Sequence, residues 1–521
     1  MTAAAPRVLQ VITGLGTGGA EQQLRLLLRH LPYACDVVTL TNPGPVADGL
    51  RADGVEVTDL GMCGNRDLAA LPRLVRLIRD GGYGLVHTHL YRACVYGRIA
   101  ARLAGVRAVV ATEHSLGDRE IEGRPLTRGT RALYRGTERL GAATVAVSDT
   151  VAARLADWGV PPERTHTVPN GIDARQFRFD PAARSAVRSG LGVAPDAYLL
   201  GGVGRLVPGK GFDALIRTAA AVPAVTVVIA GEGPEGPALK RLAAELGVAD
   251  RVRFLGDCAP GPTADTGGPA GRGSCGPVTD HTVGTGSAGP GGSAPADPGA
   301  AVAAGPPGAA RVGGSGGCDR AAVAAVPVWA GATGPGGTAA QETPVAGAAE
   351  AGAAAGAGAP ARPGAPAGPG AAARSGPSAG PRLRITVPEV LSAVDAFVSA
   401  SREEAFGLAV VEALAAGLPV LYRTCPAVQD LSPELVPGAV RFGPDDASLT
   451  AAVRELAARR PPRSRTAPGG VAHYDIRRTA GLVAEVYERV LAGDRPHPSN
   501  PRGRTLPRQK TQPDPTERVH R

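Results

Sequence analysis

Aromatic side chains are scarce in this chain. Phenylalanine, tryptophan and tyrosine make up 3% of 521 residues, and alanine inflates the 43% hydrophobic fraction. With so few rings there is no stacking platform for bases, so the formal charge of +9 does not by itself indicate nucleic acid, and no nucleic-acid partner is expected. Seven cysteines stand at positions 35, 63, 94, 258, 275, 318 and 425, an odd and widely spaced set without a C-x-x-C pair. That pattern argues against a disulfide framework and against a zinc site, and the cysteines read as reduced cytosolic thiols. No run of about eighteen apolar residues occurs, so no membrane-spanning helix is expected. The amino terminus passes through a short alanine stretch into Arg7-Val8-Leu9-Gln10-Val11-Ile12, which reads as a strand and lacks the apolar region of a signal peptide.

What is present is enough chain for two or three domains and enough apolar material for two cores. Strand and helix patterns alternate, as in parallel α/β domains. The first half predicts strands at Val8–Ile12, Asp36–Leu40, Val55–Asp59, Leu85–His89, Ala108–Glu113, Thr144–Val147 and His166–Val168, with helices at Glu21–Leu31, Leu68–Arg79 and Ala93–Ala104 between them. A second unit repeats the theme at Tyr198–Val203, Thr226–Ala230, Arg253–Leu255, Ala396–Ser399 and Val420–Tyr422. From Cys258 to Arg382 about two-thirds of the residues are Gly, Ala or Pro without an apolar period, a composition that cannot offset its ordering entropy. This segment reads as disordered, either a genuine flexible insertion or translated misread GC-rich coding sequence. Deleting it would join Leu255-Gly256-Asp257 to Val387-Pro388-Glu389 by a connection of ordinary length. The tail 494–521, rich in Pro and Arg, also reads as unstructured and basic.

Three phrases carry chemistry. Residues 401–417 read S-R-E-E-A-F-G-L-A-V-V-E-A-L-A-A-G and follow a short apolar strand, so Glu404 falls in a turn and Glu412 just over two helical turns later. The first N–H groups of that helix, at Gly407, Leu408 and Ala409, point where phosphate is favoured. Residues 204–211 read G-R-L-V-P-G-K-G after another strand, placing Arg205 and Lys210 about a turn made by Pro208 and Gly209. Two cations fixed about such a turn can hold an anionic group, Arg by a planar fork and Lys as a compact charge. Residues 14–21 read G-L-G-T-G-G-A-E, and Gly14, Gly16 and Gly19 satisfy G-x-G-x-x-G. A nicotinamide site also wants an acid at the end of the second strand, whereas Asp36 stands at its beginning, so a dinucleotide oxidoreductase is the weaker reading. His87 and His89 alternate on one strand face; without a third ligand at sensible spacing they read as structural or acceptor-side groups, and no metal site is expected.

The 401–417 phrase resembles the E-x7-E signature of the retaining glycosyltransferases of family 4. Supporting likenesses are the 14–21 glycine loop, Pro169-Asn170-Gly171-Ile172-Asp173, the 204–211 clamp and Gly231-Glu232-Gly233-Pro234, over about residues 7–257 and 387–490. The resemblance implies the GT-B fold: two Rossmann-like doubly wound α/β domains facing a cleft, here with the long disordered insertion in the second. The expected division is 1–178 for an acceptor-side domain, 179–257 with 383–478 for a nucleotide-sugar domain, 258–382 for the insertion, 479–493 for a terminal helix and 494–521 for the tail. It implies that Glu404 meets hydroxyls of the donor sugar, Glu412 the ribose, and Arg205 with Lys210 the diphosphate. Gly16, Gly18, Gly19, Phe406, Gly407 and Leu408 would complete the donor site, and His114 would approach the reaction centre. The implied activity is transfer of a hexose from a nucleoside diphosphate sugar to a glycan, lipid-linked or small-molecule acceptor, with retention and without a cofactor or metal. The other reading is a catalytically silent GT-B scaffold that binds a nucleotide sugar. One departure is Thr424-Cys425-Pro426-Ala427-Val428 where the family commonly has a glycine pair; Pro426 has no N–H to donate there. Arg124, Arg128, Arg131, Arg135 and Arg139, with Leu133, Tyr134 and Leu140, resemble a basic amphipathic helix able to lie on anionic lipid, with solvated arginines as the plainer explanation. The expected location is the cytoplasm, or peripherally the inner face of the membrane.

Overall fold

The computed structural model describes residues 5–64, 67–116, 120–121, 124–259, 261, 385–459 and 465–493. Its first half contains β1 (Val8–Ile12), β2 (Cys35–Thr39), β3 (Val57–Asp59), β4 (Leu85–His89) and β5 (Val109–Glu113). A two-stranded antiparallel ribbon, β6 (Glu120–Ile121) and β7 (Arg124–Pro125), precedes β8 (Ala143–Ala146) and β9 (Thr165–Thr167). Seven strands form one parallel sheet in the order β3-β2-β1-β4-β5-β8-β9. β1, β4 and β5 are buried at every residue; β1 reads as a largely apolar run, whereas β4 and β5 begin apolar and bury the polar residues His87, Thr88, His89, Thr112 and Glu113 toward their ends.

The second half contains β10 (Tyr198–Val203), β11 (Val225–Ala230), β12 (Val252–Gly256), β13 (Ala396–Ser399), β14 (Val420–Tyr422) and β15 (Ala439–Arg441), in the parallel order β12-β11-β10-β13-β14-β15. Both sheets reverse direction of growth beside a central strand, between β1 and β4 in the first and between β10 and β13 in the second. Such switch points open a crevice beyond the strands' carboxyl ends. The glycine loop follows β1, the cationic clamp follows β10 and the acidic phrase follows β13, so all three lie at switch points. These are the two Rossmann-like sheets of the GT-B architecture.

Helix ends are set by local chemistry. The Thr386 side chain and Glu389 form a reciprocal capping box at the helix Val387–Ala393, and Ser148 and Asp180 cap the helices Asp149–Asp157 and Pro181–Gly190. The helix Ile476–Leu491 starts three residues before the expected terminal helix. Its Ile476, Ala480, Val483, Val486 and Tyr487 share a core with Val8, Leu85, Val110 and Val145 of the first sheet. Boundaries of β2, β5, β8 and β9 differ by one residue from the sequence expectation, and β3 begins two residues later. β15 and the 120–125 ribbon were not expected; β15 is a short edge strand with exposed Val440 and Arg441, so it shows no apolar run.

All but a few residues of the 258–382 segment, and the whole 494–521 tail, lie outside the described residues. The segment's flanks meet: Ala259 pairs with Thr386 in a parallel bridge, and the Val387 N–H donates to the Ala259 carbonyl at 3.1 Å. The second sheet is therefore entered and left at one place, as the ordinary-length connection from Asp257 to Val387 requires.

At the foot of β13, Asp395 is buried and accepts from the Leu199 N–H at 2.8 Å, Arg184 Nη2 at 2.6 Å and Arg188 Nη1 at 3.3 Å. These bonds hold the helix Pro181–Gly190 and strand β10 in register with β13, and so set where the loops at the other end of those strands emerge.

Candidate active site

The clamp is a single 3-10 turn, Pro208–Lys210, closed by Gly211 at φ +67°. A Cβ at Gly211 would stand 2.3 Å from the Ala400 carbonyl oxygen, so the positive φ and the close approach of the two loops both demand glycine there. Arg402 ties the loops together: its N–H donates to the Gly209 carbonyl at 2.8 Å, Nη1 to the Pro208 carbonyl at 3.2 Å and Nη2 to Asp213 at 2.9 Å. Leu206 adds a brace to the loop after β11, donating to Glu232 and accepting from Glu235. Held this way, Lys210 Nζ ion-pairs with Glu404 Oε1. An ammonium has three N–H donors, and this bond uses one. Arg205 is exposed and has no ion pair among the described residues; its positive charge is felt by Glu21 of the glycine loop.

The acidic phrase forms the helix Leu408–Ala415, one residue later than Gly407, which is its N-cap at φ +101°. A Cβ on Gly407 would sit 2.4 Å from Cys425 Sγ, so this turn requires glycine as well. The Gly407 carbonyl accepts from Val410 and Val411, leaving the N–H groups of the helix start as its free donors. Phe406 is a correction to the expected donor contacts. Its ring is buried edge-on against Tyr474 at 5.2 Å, and its carbonyl accepts from the Ala427 N–H, so it packs the core. The loop that departs from the glycine pair does the packing too, for Cys425, Pro426, Ala427 and Val428 are all buried.

The two halves meet at these loops. Ser148 Oγ donates to the Ala405 carbonyl at 2.6 Å, Arg154 ion-pairs with Glu403 at 3.5 Å, and a Cβ on Gly19 would touch Leu408 Cδ1 at 3.3 Å. At Gly18 the Glu21 carboxylate folds back over the position a Cβ would take and would have to shift for a side chain, whereas Gly16 faces open space. Leu408 and Glu412 lie on one helix face, four positions apart. Leu408 lies beside Gly19, so the start of this face adjoins the glycine loop. Glu21 has its carboxyl pushed up by burial, partly offset by its own N–H and by Arg205.

Glu412 has no side-chain hydrogen bond or ion pair among the described residues, and burial pushes its carboxyl up to about 7. The folded chain then holds a proton that the unfolded chain has already released, so stability falls as pH rises from the ordinary glutamate range to about 7, and stays lowered above it. Glu412→Gln is accordingly expected to raise the melting temperature at pH about 8, by the equivalent of about 1–3 kcal/mol, and to change little at pH about 5. Differential scanning calorimetry at the two pH values checks this; equal shifts at both would show that ionisation of Glu412 is not the cause.

His114 lies elsewhere. It lines a cavity with Gln23, Leu24, Leu27, His89, Thr112, Asn170, Thr479 and Val483, and none of Arg205, Lys210, Glu404 or Glu412 borders it. His87 and His89 do share a face, with ring centroids 4.1 Å apart, and both nitrogens of each ring are hydrogen-bonded. Glu113, beside His114, is buried with Arg98 and Tyr134 and belongs to the core. The sequence reading passed over Arg402, Glu403 and Arg154, because single charges in a loop or on a helix carry no period that reveals a partner far along the chain.

Residues 17–176 match the family described as Glycosyltransferase Family 4, and residues 184–261 and 382–470 match Glycosyl transferases group 1. The chain belongs with the family 4-type glycosyltransferases. Among curated relatives, D-inositol 3-phosphate glycosyltransferase of Geodermatophilus obscurus is 36% identical over 196 residues, 34% of this chain and 42% of the relative. The protein of the same name from Actinosynnema mirum is 32% identical over 273 residues, 48% of this chain and 64% of the relative. The chain thus spans about half the length of the curated relatives it matches. Among solved structures, Anabaena HepE in complex with UDP and glucose has a TM-score of 0.61 at 17% identity, covering 93% of this chain and all of the other. Sucrose-phosphate synthase of Thermosynechococcus elongatus has a TM-score of 0.58 at 16% identity, with 94% and 100% covered. At such identities the likeness establishes the fold. No helix among the described residues is long and apolar enough to cross a membrane.

Proposed function

We propose that this protein transfers a hexose from a nucleoside diphosphate sugar to a hydroxyl acceptor with retention at the anomeric carbon. The observation that carries the reading is the ion pair between Lys210 and Glu404, which joins the cationic clamp to the acidic phrase at one switch point, with Arg205 exposed beside it. In the proposed reaction Arg205, Lys210 and the N–H groups at the start of the helix Leu408–Ala415 hold the diphosphate. The bond from the anomeric carbon to the diphosphate oxygen breaks as the acceptor oxygen bonds on the same face, and the acceptor proton passes to the departing phosphate oxygen. Glu404 orients Lys210 and meets sugar hydroxyls, and Glu412 receives the ribose hydroxyls. No metal is assigned a step, because protein cations meet the developing charge.

UDP-glucose is the first donor to test, since a structural neighbour was solved with that compound, and D-inositol 3-phosphate is the first acceptor, since it stands in the names of the relatives. The helix Arg128–Glu138 supports a proposed peripheral contact with anionic lipid on the cytoplasmic face: Arg128, Leu133 and Arg135 are exposed, while Tyr134, Thr137 and Glu138 face inward.

A thermal-shift screen of UDP, ADP and GDP with their glucose conjugates is expected to show one nucleotide series raising the melting temperature, by the equivalent of about 2.7 kcal/mol at a hundred times the dissociation constant. The glucose conjugate of that series should then release its nucleoside diphosphate when acceptor is added. Binding without release would favour a silent scaffold, and no shift with any nucleotide would remove the donor site.

A further inference from the structure

Three imidazoles, an amide and a phenol form one hydrogen-bonded chain inside the first sheet. Gln10 comes from β1, His87 and His89 from β4, Thr112 from β5, His114 from just beyond β5, and Tyr487 from the helix Ile476–Leu491. Tyr487 Oη lies 2.6 Å from His87 Nδ1 and 3.1 Å from Gln10 Nε2, and His87 Nε2 lies 2.7 Å from Thr112 Oγ1. On the other side Gln10 Oε1 lies 2.9 Å from His89 Nε2, and His89 Nδ1 lies 3.1 Å from His114 Nε2.

The proton positions follow in order. The Gln10 amide nitrogen is placed 3.1 Å from Tyr487 Oη and 3.6 Å from Cys35 Sγ, and in that orientation the amide donates toward Tyr487. Tyr487 accepts that N–H and gives its single O–H to His87 Nδ1, which leaves His87 to donate through Nε2 to Thr112. Gln10 Oε1 only accepts, so His89 carries its proton on Nε2 and offers a lone pair at Nδ1, which accepts the Nε2–H of His114. Burial keeps the rings neutral, with His87 down to about 3 and His114 down to about 4, so each has one N–H to place. His114 Nδ1 is left as a lone pair with no partner among the described residues. The Gln23 Nε2 donor that lines the same cavity is likewise buried without a partner. His114 and Gln23 line the same small cavity, and an unpartnered lone pair with an unpartnered N–H is the combination that a hydroxyl group, which both donates and accepts, would satisfy.

We propose that Tyr487 is a positioning residue: through Gln10 and His89 it fixes the tautomer of His114, so that Nδ1 accepts the hydrogen bond of a carbohydrate hydroxyl. That the hydroxyl belongs to a carbohydrate rests on the transferase reading; the tautomer does not.

The test uses the full chain labelled with 15N-histidine and free of ligand, with long-range proton–nitrogen spectra at neutral pH and His114 assigned by the signals lost in His114→Gln. The expected wild-type result is His114 protonated at Nε2 alone. Tyr487→Phe removes only the hydroxyl, and a second His114 signal protonated at Nδ1 is expected to appear. If Tyr487→Phe loses its cooperative melting transition, Gln10→Leu cuts the same chain and should give the same second signal. Nδ1 protonation in the wild type, or a folded variant that keeps Nε2 protonation alone, overturns the proposal. Since no substrate is present, a chain that transfers no sugar can still show the tautomer, and an active enzyme can still lack it.

Discussion

Replacing Lys210 with methionine is expected to lower kcat/KM for the donor by about two to three orders of magnitude, the usual loss when one preorganised donor to developing charge is removed. Methionine keeps the length of the side chain and removes its charge. The proposed transition state places negative charge on the diphosphate, and Lys210 is the cation that the Gly211 turn and Arg402 hold in place. Its pairing with Glu404 makes a second outcome specific. Because both side chains act as one unit, Lys210→Met with Glu404→Gln should cost much less than the sum of the single losses. Initial rates of nucleoside diphosphate release check this, with the melting temperature of each variant as the control for folding. Additive losses would mean that the two residues serve separate tasks.

Asp395→Ala is expected to destabilise the second sheet by about 3–5 kcal/mol, far more than a typical substitution. The carboxylate is buried and satisfies three donors, and its removal leaves the Arg188 guanidinium, itself buried, without its anion. The remaining bonds of Arg188 go to the carbonyls of Ala393, Ala194 and Ala197, which neutralise no charge. Urea unfolding should show a large drop in midpoint, and Arg184→Ala a smaller one, because Arg184 is more accessible and leaves the Arg188 pair intact. Equal effects from the two would mean that the cluster works through packing and not through charge.

The fold was legible because its parallel strands are buried on both faces and appear as short apolar runs between helical patterns. β1, β10, β13 and β14 were read with their observed bounds for this reason, β4 was read to its bounds although His87, Thr88 and His89 are polar, and β15 escaped because its exposed residues carry no such run. The clamp and the acidic phrase were legible because glycine is forced where chain segments meet: Gly211 against Ala400 and Gly407 against Cys425 leave marks in the sequence. What was not legible depends on distance along the chain. Phe406 reads like a ligand contact until Tyr474 is seen beside it, and His114 reads like a lone histidine at a strand end until Gln10, His89 and Tyr487 are assembled around it. Arg402 looks like a solvated loop charge, yet it is the tie between clamp and acidic phrase.

The most direct measurement is a crystal structure of the chain with UDP bound. Its terminal phosphate is expected within hydrogen-bonding distance of Arg205, Lys210 and the N–H groups that open the helix Leu408–Ala415, with ribose hydroxyls on Glu412. A nucleotide seated with its phosphates away from both cations, or with Glu412 facing no part of the ribose, would contradict the assignment of this crevice as the donor site.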